Sequence, residues 1–137
     1  MTEAEPRPKT VLFVCPHGAG KSRIAAALFN AEAPPGWSAT TAGIEPQDRV
    51  SVHAPRLLAG TPAEAHLDTA LPRPLSAVAG PVRTIAIDCR LDGAQAWDLE
   101  QAVFDEAMRE EIAGRVRALI GGLGGLGDLG DLGDLGG

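Results

Sequence analysis

Residues 10–14, Thr-Val-Leu-Phe-Val, form an almost unbroken apolar run of β-forming side chains. A run without polar alternation predicts a strand buried on both faces, as in a parallel sheet. The pattern changes after the loop at residues 15–21. From Ser22 to Glu32, Ile24, Ala27, Leu28 and Ala31 recur at helical spacing, which predicts an amphipathic helix. Strand, glycine-bearing loop and helix make the first half of a βαβ unit. Residues 37–42 predict a second strand, closed by Gly43. Residues 50–59 read as a helix, although Pro55 interrupts it unless the helix begins there. Four prolines between residues 60 and 81 leave room only for short pieces of structure. Residues 83–89 predict a clear strand and residues 92–96 a loop. Residues 103–120 predict a long helix, with Val103, Ala107, Ile112, Val116, Leu119 and Ile120 on its buried side. Gly121 and Gly122 are expected to stop it.

Three segments follow from this pattern: a disordered lead-in over residues 1–9, an α/β domain over 10–120 and a flexible Gly/Leu/Asp tail over 121–137. A calcium-binding repeat fits the tail poorly, because its carboxylates are few and no nine-residue period is present. The tail also distorts the whole-chain averages. Nine of the 17 glycines lie in it, and its three aspartates supply half of the net charge of −6. Its removal leaves a domain of ordinary composition and mild acidity. That balance argues against non-specific nucleic-acid binding, which needs a basic face. The apolar runs fall short of a membrane span, and residues 1–9 do not have the pattern of a secretory signal. Two cysteines cannot staple a domain of this size, so free thiols in a cytoplasmic, reducing compartment are expected.

The chemistry concentrates in Cys15-Pro16-His17-Gly18-Ala19-Gly20-Lys21-Ser22. One reading is a nucleotide P-loop, since Gly20-Lys21-Ser22 ends that pattern and Asp88 follows a later strand. The leading glycine is missing, however, because Cys15 stands there, and Pro16 removes an N–H from the cradle. The other reading is a thiolate loop that binds a tetrahedral oxyanion. Cys15 follows the strand, five residues intervene, and a cation and a hydroxyl close the loop at a helix start. Loop N–H groups and the helix N-terminus attract an anion, and the same surroundings favour a cysteine thiolate.

The run from Val11 to Ser22, with its alanine-rich helix, resembles the start of the low-molecular-weight protein tyrosine phosphatases. It is even more similar to the arsenate reductases of the same fold. Thr41-Ala42-Gly43-Ile44-Glu45-Pro46 resembles the segment that follows there. Residues 83–89 resemble the later core strand, Trp97-Asp98-Leu99 a tryptophan-bearing segment, and residues 115–120 the closing helix. The resemblance implies a three-layer α/β fold with a four-stranded parallel sheet flanked by helices. It implies a phosphatase or arsenate reductase-like enzyme with Cys15 as nucleophile. Lys21 and the loop residues Pro16, His17, Gly18, Ala19 and Gly20 would bind the anion, and Ser22 would support the thiolate. No cofactor or metal is implied. The partners implied are a small oxyanion or phosphorylated small molecule and an external thiol reductant, with no nucleic acid and no membrane.

The chain departs from that family in ways that affect the chemistry. Lys21 replaces the arginine whose planar fork grips two oxygens. Where the family has an Asp-Pro pair, with aspartate as general acid, this chain has Gln101-Ala102, so Asp98 is the candidate acid, with Glu100 behind it. The absence of tyrosine argues against phosphotyrosine protein as substrate. Cys89 takes the place of a resolving thiol, and its plain alternative is a small packing residue at a strand end. A third cysteine is missing, so final reduction would need an outside thiol. A catalytically impaired or repurposed member that binds an oxyanion or a partner is the alternative function. His17 is a candidate loop contact, whereas His53, His66, Trp37 and Trp97 are expected to be filler or packing residues.

Overall fold

The computed structural model describes residues 9–129, apart from residues 19, 50 and 79. Strands β1 (Lys9–Cys15), β2 (Trp37–Gly43), β3 (Arg83–Ile87) and β4 (Gln95–Trp97) form one parallel sheet in the order β2-β1-β3-β4. The helices are α1 (Lys21–Glu32), α2 (His53–Leu58) and α3 (Glu106–Leu129), with short 3-10 turns at Pro62–His66 and Leu75–Ala77. This is the expected α/β class.

β1 lies between β2 and β3, which explains its unbroken apolar sequence: Val11 to Cys15 are all buried. Alternate residues of β1 face two different environments. Val11, Phe13 and Cys15 join a large core with Ile24, Phe29, Leu58, Ile85, Ile87, Trp97, Met108 and Ile112. Leu12 and Val14 join Ala42 in a much smaller cluster on the other side, covered by Leu75, Val78, Cys89 and Leu91. All three α-helices contribute to the first core, and only the second 3-10 turn and the adjoining loops cover the second.

The boundaries depart from the sequence pattern in several places. Residues 95–97 pair with β3 as β4, although residues 92–96 were expected to be loop. β3 ends at Ile87, because Asp88 turns the chain with a positive φ of 55°. α2 is shorter than the expected 50–59. α3 begins three residues later than expected, and both Val103 and Ala107 are exposed, with Met108 taking the buried position. The expected stop at Gly121-Gly122 fails. α3 runs on to Leu129, because Leu123 continues the stripe of Ile112, Val116 and Leu119 and is 2% exposed. Burial of that leucine, worth about 1.5–3 kcal/mol, offsets the roughly 1 kcal/mol cost of each of Gly121 and Gly122. Residues 121–129 of the expected flexible tail are therefore helical. Residues 130–137, and residues 1–8 of the lead-in, lie outside the described residues.

Candidate active site

The loop from Cys15 to Gly20 leaves the carboxyl end of β1 and enters α1, in the region where open parallel sheets place ligands. Backbone contacts with the exit from β2 fix it. The N–H groups of Ile44, Glu45 and Gln47 donate to the carbonyls of Cys15 (3.3 Å), Pro16 (2.8 Å) and His17 (3.3 Å). In a trans peptide the N–H points opposite the carbonyl. Tying the carbonyls of Pro16 and His17 to this exit segment thus turns the N–H groups of His17 and Gly18 away from it.

Two glycines permit this approach. Gly18 has φ +67°, and a Cβ there would lie 2.7 Å from the backbone nitrogen of Gly43. A Cβ on Gly43 would lie 2.5 Å from the carbonyl carbon of His17. Thr41-Ala42-Gly43 is thus the structural complement of the loop, and its glycine is required by backbone-to-backbone packing. The polar side chain of Arg23 braces the loop from below. It is 1% exposed, with Nε donating to Gly18 O (2.9 Å) and Nη1 to Asp68 O (2.6 Å). Asp68 in turn holds Arg73 at 2.7 Å, and Arg73 donates to Thr41 O at 3.0 Å. Burial pulls the Arg23 pKa down, while the Asp68 charge opposes that pull.

Cys15 is 4% exposed, and its Sγ lies 3.2 Å from Ser22 Oγ in the first turn of α1. Lys21 Nζ donates to Asp88 Oδ2 at 2.6 Å, and Asp88 Oδ1 accepts the Leu99 N–H at 2.9 Å. A cleft of about 590 Å³ opens over this ensemble. Cys15, Pro16, His17, Gly20 and Lys21 line its loop side, and Gln47, Arg49, Ser51, Val52, His53 and Phe104 line the rest. His53 and Phe104 stack with ring centroids 4.6 Å apart.

The structure therefore brings together Cys15, Pro16, His17, Gly20, Lys21 and Ser22, with Gly18 buried behind them; Ala19 is outside the described residues. Asp98 lies elsewhere. It forms a two-pronged pair with Arg90 (2.7 and 3.0 Å), and that hydrogen bond holds its carboxyl below the ordinary aspartate value. Neither Asp98 nor Glu100 lines the cleft. Glu111 accepts the backbone N–H groups of Glu100 and Gln101, which fixes the segment where a family acid would stand. Cys89 packs with the small cluster on the opposite face of the sheet from Cys15. Burial, and then the charges of Cys15 and Asp88, push its thiol pKa up.

Sequence reasoning missed Asp88 as the partner of Lys21, Arg23 as the brace, and Arg49 and Phe104 as cleft walls. Asp88 carried a signal, since a carboxylate at a strand end often faces the adjacent loop. Arg23 carried none, because it occupies a helix position where a charged side chain normally faces water.

The chain aligns with an arsenate reductase from Archaeoglobus fulgidus at 29% identity and a TM-score of 0.62, over 81% of this chain and 98% of that one. It aligns with a thioredoxin-dependent arsenate reductase from Corynebacterium glutamicum at 27% identity and a TM-score of 0.65. That alignment covers 85% of this chain but only 62% of the other. This is the fold of the low-molecular-weight phosphatase and arsenate reductase family. A low-molecular-weight protein tyrosine phosphatase from T. tengcongensis shares the fold at 21% identity and a TM-score of 0.61, over 82% of this chain and 97% of that one. No sequence-family model and no curated protein matches the chain. The resemblance read from the family's loop and its Thr-Ala-Gly complement thus agrees with the three-dimensional match. No helix among the described residues is long and apolar enough to cross a membrane.

Proposed function

We propose that the chain is a cysteine-dependent enzyme of oxyanion chemistry, with Cys15 as nucleophile and a phosphomonoester as the substrate class that its geometry supports best. The observation that carries this reading is Cys15 Sγ at the floor of the cleft, 3.2 Å from Ser22 Oγ at the start of α1. The Ser22 hydroxyl can donate to a thiolate at that distance. The N–H groups of His17 and Gly18, turned away from the β2 exit, and the positive end of α1 suit the charge on phosphoryl oxygens. The thiolate attacks phosphorus, an S–P bond forms, and the P–O bond to the leaving group breaks. The leaving oxygen takes its proton from solvent, since among the described residues no carboxylic acid lines the cleft. Water then attacks phosphorus, the S–P bond breaks, and inorganic phosphate leaves with the thiolate restored. Without a positioned acid, good leaving groups are favoured over poor ones.

Arsenate reduction is the second reading, and the presence of Cys89 favours it. After Cys15 forms an S–As bond with loss of water, the Cys89 thiolate attacks Cys15 Sγ. An S–S bond forms, the S–As electron pair passes to arsenic, and arsenite leaves. An external thiol then reduces the disulfide. This route requires Cys89 to leave its present packing.

Turnover of a small aryl phosphate tests the first reading. Wild-type protein should release phosphate, and Cys15→Ser should lose at least about a thousandfold in rate while remaining folded. Equal rates in both proteins would refute a Cys15 nucleophile. Arsenite production with a thiol reductant, lost in Cys89→Ala, would establish the second reading.

A further inference from the structure

Lys21 is the loop cation, yet it is already engaged. Its Nζ lies 2.6 Å from Asp88 Oδ2, and both side chains are about three-quarters shielded from solvent. Asp88 is itself held in place by the Leu99 N–H and by a left-handed backbone at the end of β3. The pair brings no net charge to the cleft floor. A thiolate and an approaching dianion repel each other there, and a further cation beside the loop N–H groups and the α1 end would favour seating both.

Among the described residues, the other lysine or arginine side chain that lines the cleft is Arg49. Its position is set by the same segment that clasps the loop: Gln47, two residues earlier, donates its N–H to His17 O at 3.3 Å. Its ion-pair partner among the described residues is the exposed Asp48, 3.8 Å from Nε, and the Arg49 side chain is 84% exposed. At that distance and exposure the pair is weak. The two terminal nitrogens of the guanidinium make no hydrogen bond among the described residues. A planar guanidinium with an unused two-pronged edge suits two oxygens of a tetrahedral oxyanion, which an ammonium cannot match.

We propose that Arg49 is the oxyanion clamp of this site. It reaches in from the β2–α2 segment to grip two non-bridging oxygens of a phosphoryl or arsenyl group seated at Cys15, and so supplies the fork that Lys21 lacks. The assignment rests on the reading of the cleft as an oxyanion site, and it locates the charge recognition outside the loop itself.

The test is inorganic phosphate binding by calorimetry, together with kcat and KM for a small aryl phosphate. The proteins are wild type, Arg49→Gln, Arg49→Lys and, as a control for net charge, Arg117→Gln on the exposed side of α3. Arg49→Gln should weaken phosphate binding about ten- to a hundredfold, with a matching rise in KM. Arg49→Lys should recover only part of that loss, and Arg117→Gln should stay within about twofold of wild type. An exposed residue should leave the melting temperature unchanged, so a loss of binding would not reflect unfolding. Wild-type binding of phosphate with undiminished binding by Arg49→Gln overturns the clamp and leaves the oxyanion site standing. Failure of the wild type to bind phosphate overturns both.

Discussion

On one face of the sheet, Val11, Phe13 and Cys15 are buried under α1, α2 and α3. On the other, Leu12, Val14 and Ala42 make a small cluster beneath a three-residue 3-10 turn and the loops beside it. The topology explains the inequality. With strand order β2-β1-β3-β4, the chain moves outward from β1 to β2 through α1, then returns across β1 to reach β3. Parallel crossovers are right-handed, so the return connection belongs on the opposite face from α1. In this chain α2 and the first 3-10 turn of that connection pack back on the α1 face, and little remains to cover the other. Cys15 thus projects from a densely packed side of the sheet, and Cys89 from a thinly covered one. A nucleophile that must stay in register with a loop gains from dense packing. A thiol that must travel to a partner would gain from thin cover. The two cysteines therefore differ in the cover around them: Cys15 is buried and Cys89 only partly so.

Substitutions can break this contrast, beginning with the loop clasp. Gly18→Val places a side chain on a left-handed backbone and against Gly43 nitrogen. It should cost about 2–4 kcal/mol, read by chemical denaturation, and abolish phosphate binding. A wild-type denaturation midpoint would show that the clasp is loose. Arg23→Met removes the brace from Gly18 O and Asp68 O and should cost about 2 kcal/mol, with phosphate affinity falling alongside stability. A loss of stability with full affinity would show that Arg23 supports the fold and not the loop.

Asp68 gives a smaller, pH-dependent effect. Burial pushes its carboxyl up, but the Ala70 N–H and the Arg73 and Arg23 charges more than offset that and bring it below the ordinary 3.8. A depressed aspartate contributes stability above its unfolded pKa, and that contribution disappears as pH falls through the lower folded value. Wild-type stability should therefore decline more steeply than that of Asp68→Asn as pH falls from about 5 toward 2. Parallel pH profiles would contradict the bridge between Arg23 and Arg73. The smallest effect is expected on the thin face: Cys89→Ala should leave aryl phosphate turnover within about twofold, since Cys89 only packs there.

Much of this was legible in the sequence. The apolar run of residues 10–14 located the central strand, and Cys15, Gly18 and Ser22 marked the loop because their chemistry is local to one strand–loop–helix unit. What escaped depends on contacts distant in sequence. The pairing of Lys21 with Asp88 spans 67 positions, and the bridge from Arg23 to residue 68 spans 45. β4 has only three residues, too few for periodicity to register. The continuation of α3 past Gly121-Gly122 goes with the burial of Leu123, a tertiary contact that local helix preference does not show.

Everything proposed for the cleft rests on attack by Cys15 at the oxyanion centre. Acid quenching during turnover of a small aryl phosphate, followed by mass spectrometry of the peptide that contains Cys15, tests it directly. A Cys15 nucleophile should show a transient gain of one phosphoryl group on that peptide, disappearing as substrate is consumed. Steady turnover with Cys15 unmodified at every time point, and an undiminished rate in Cys15→Ser, would contradict it.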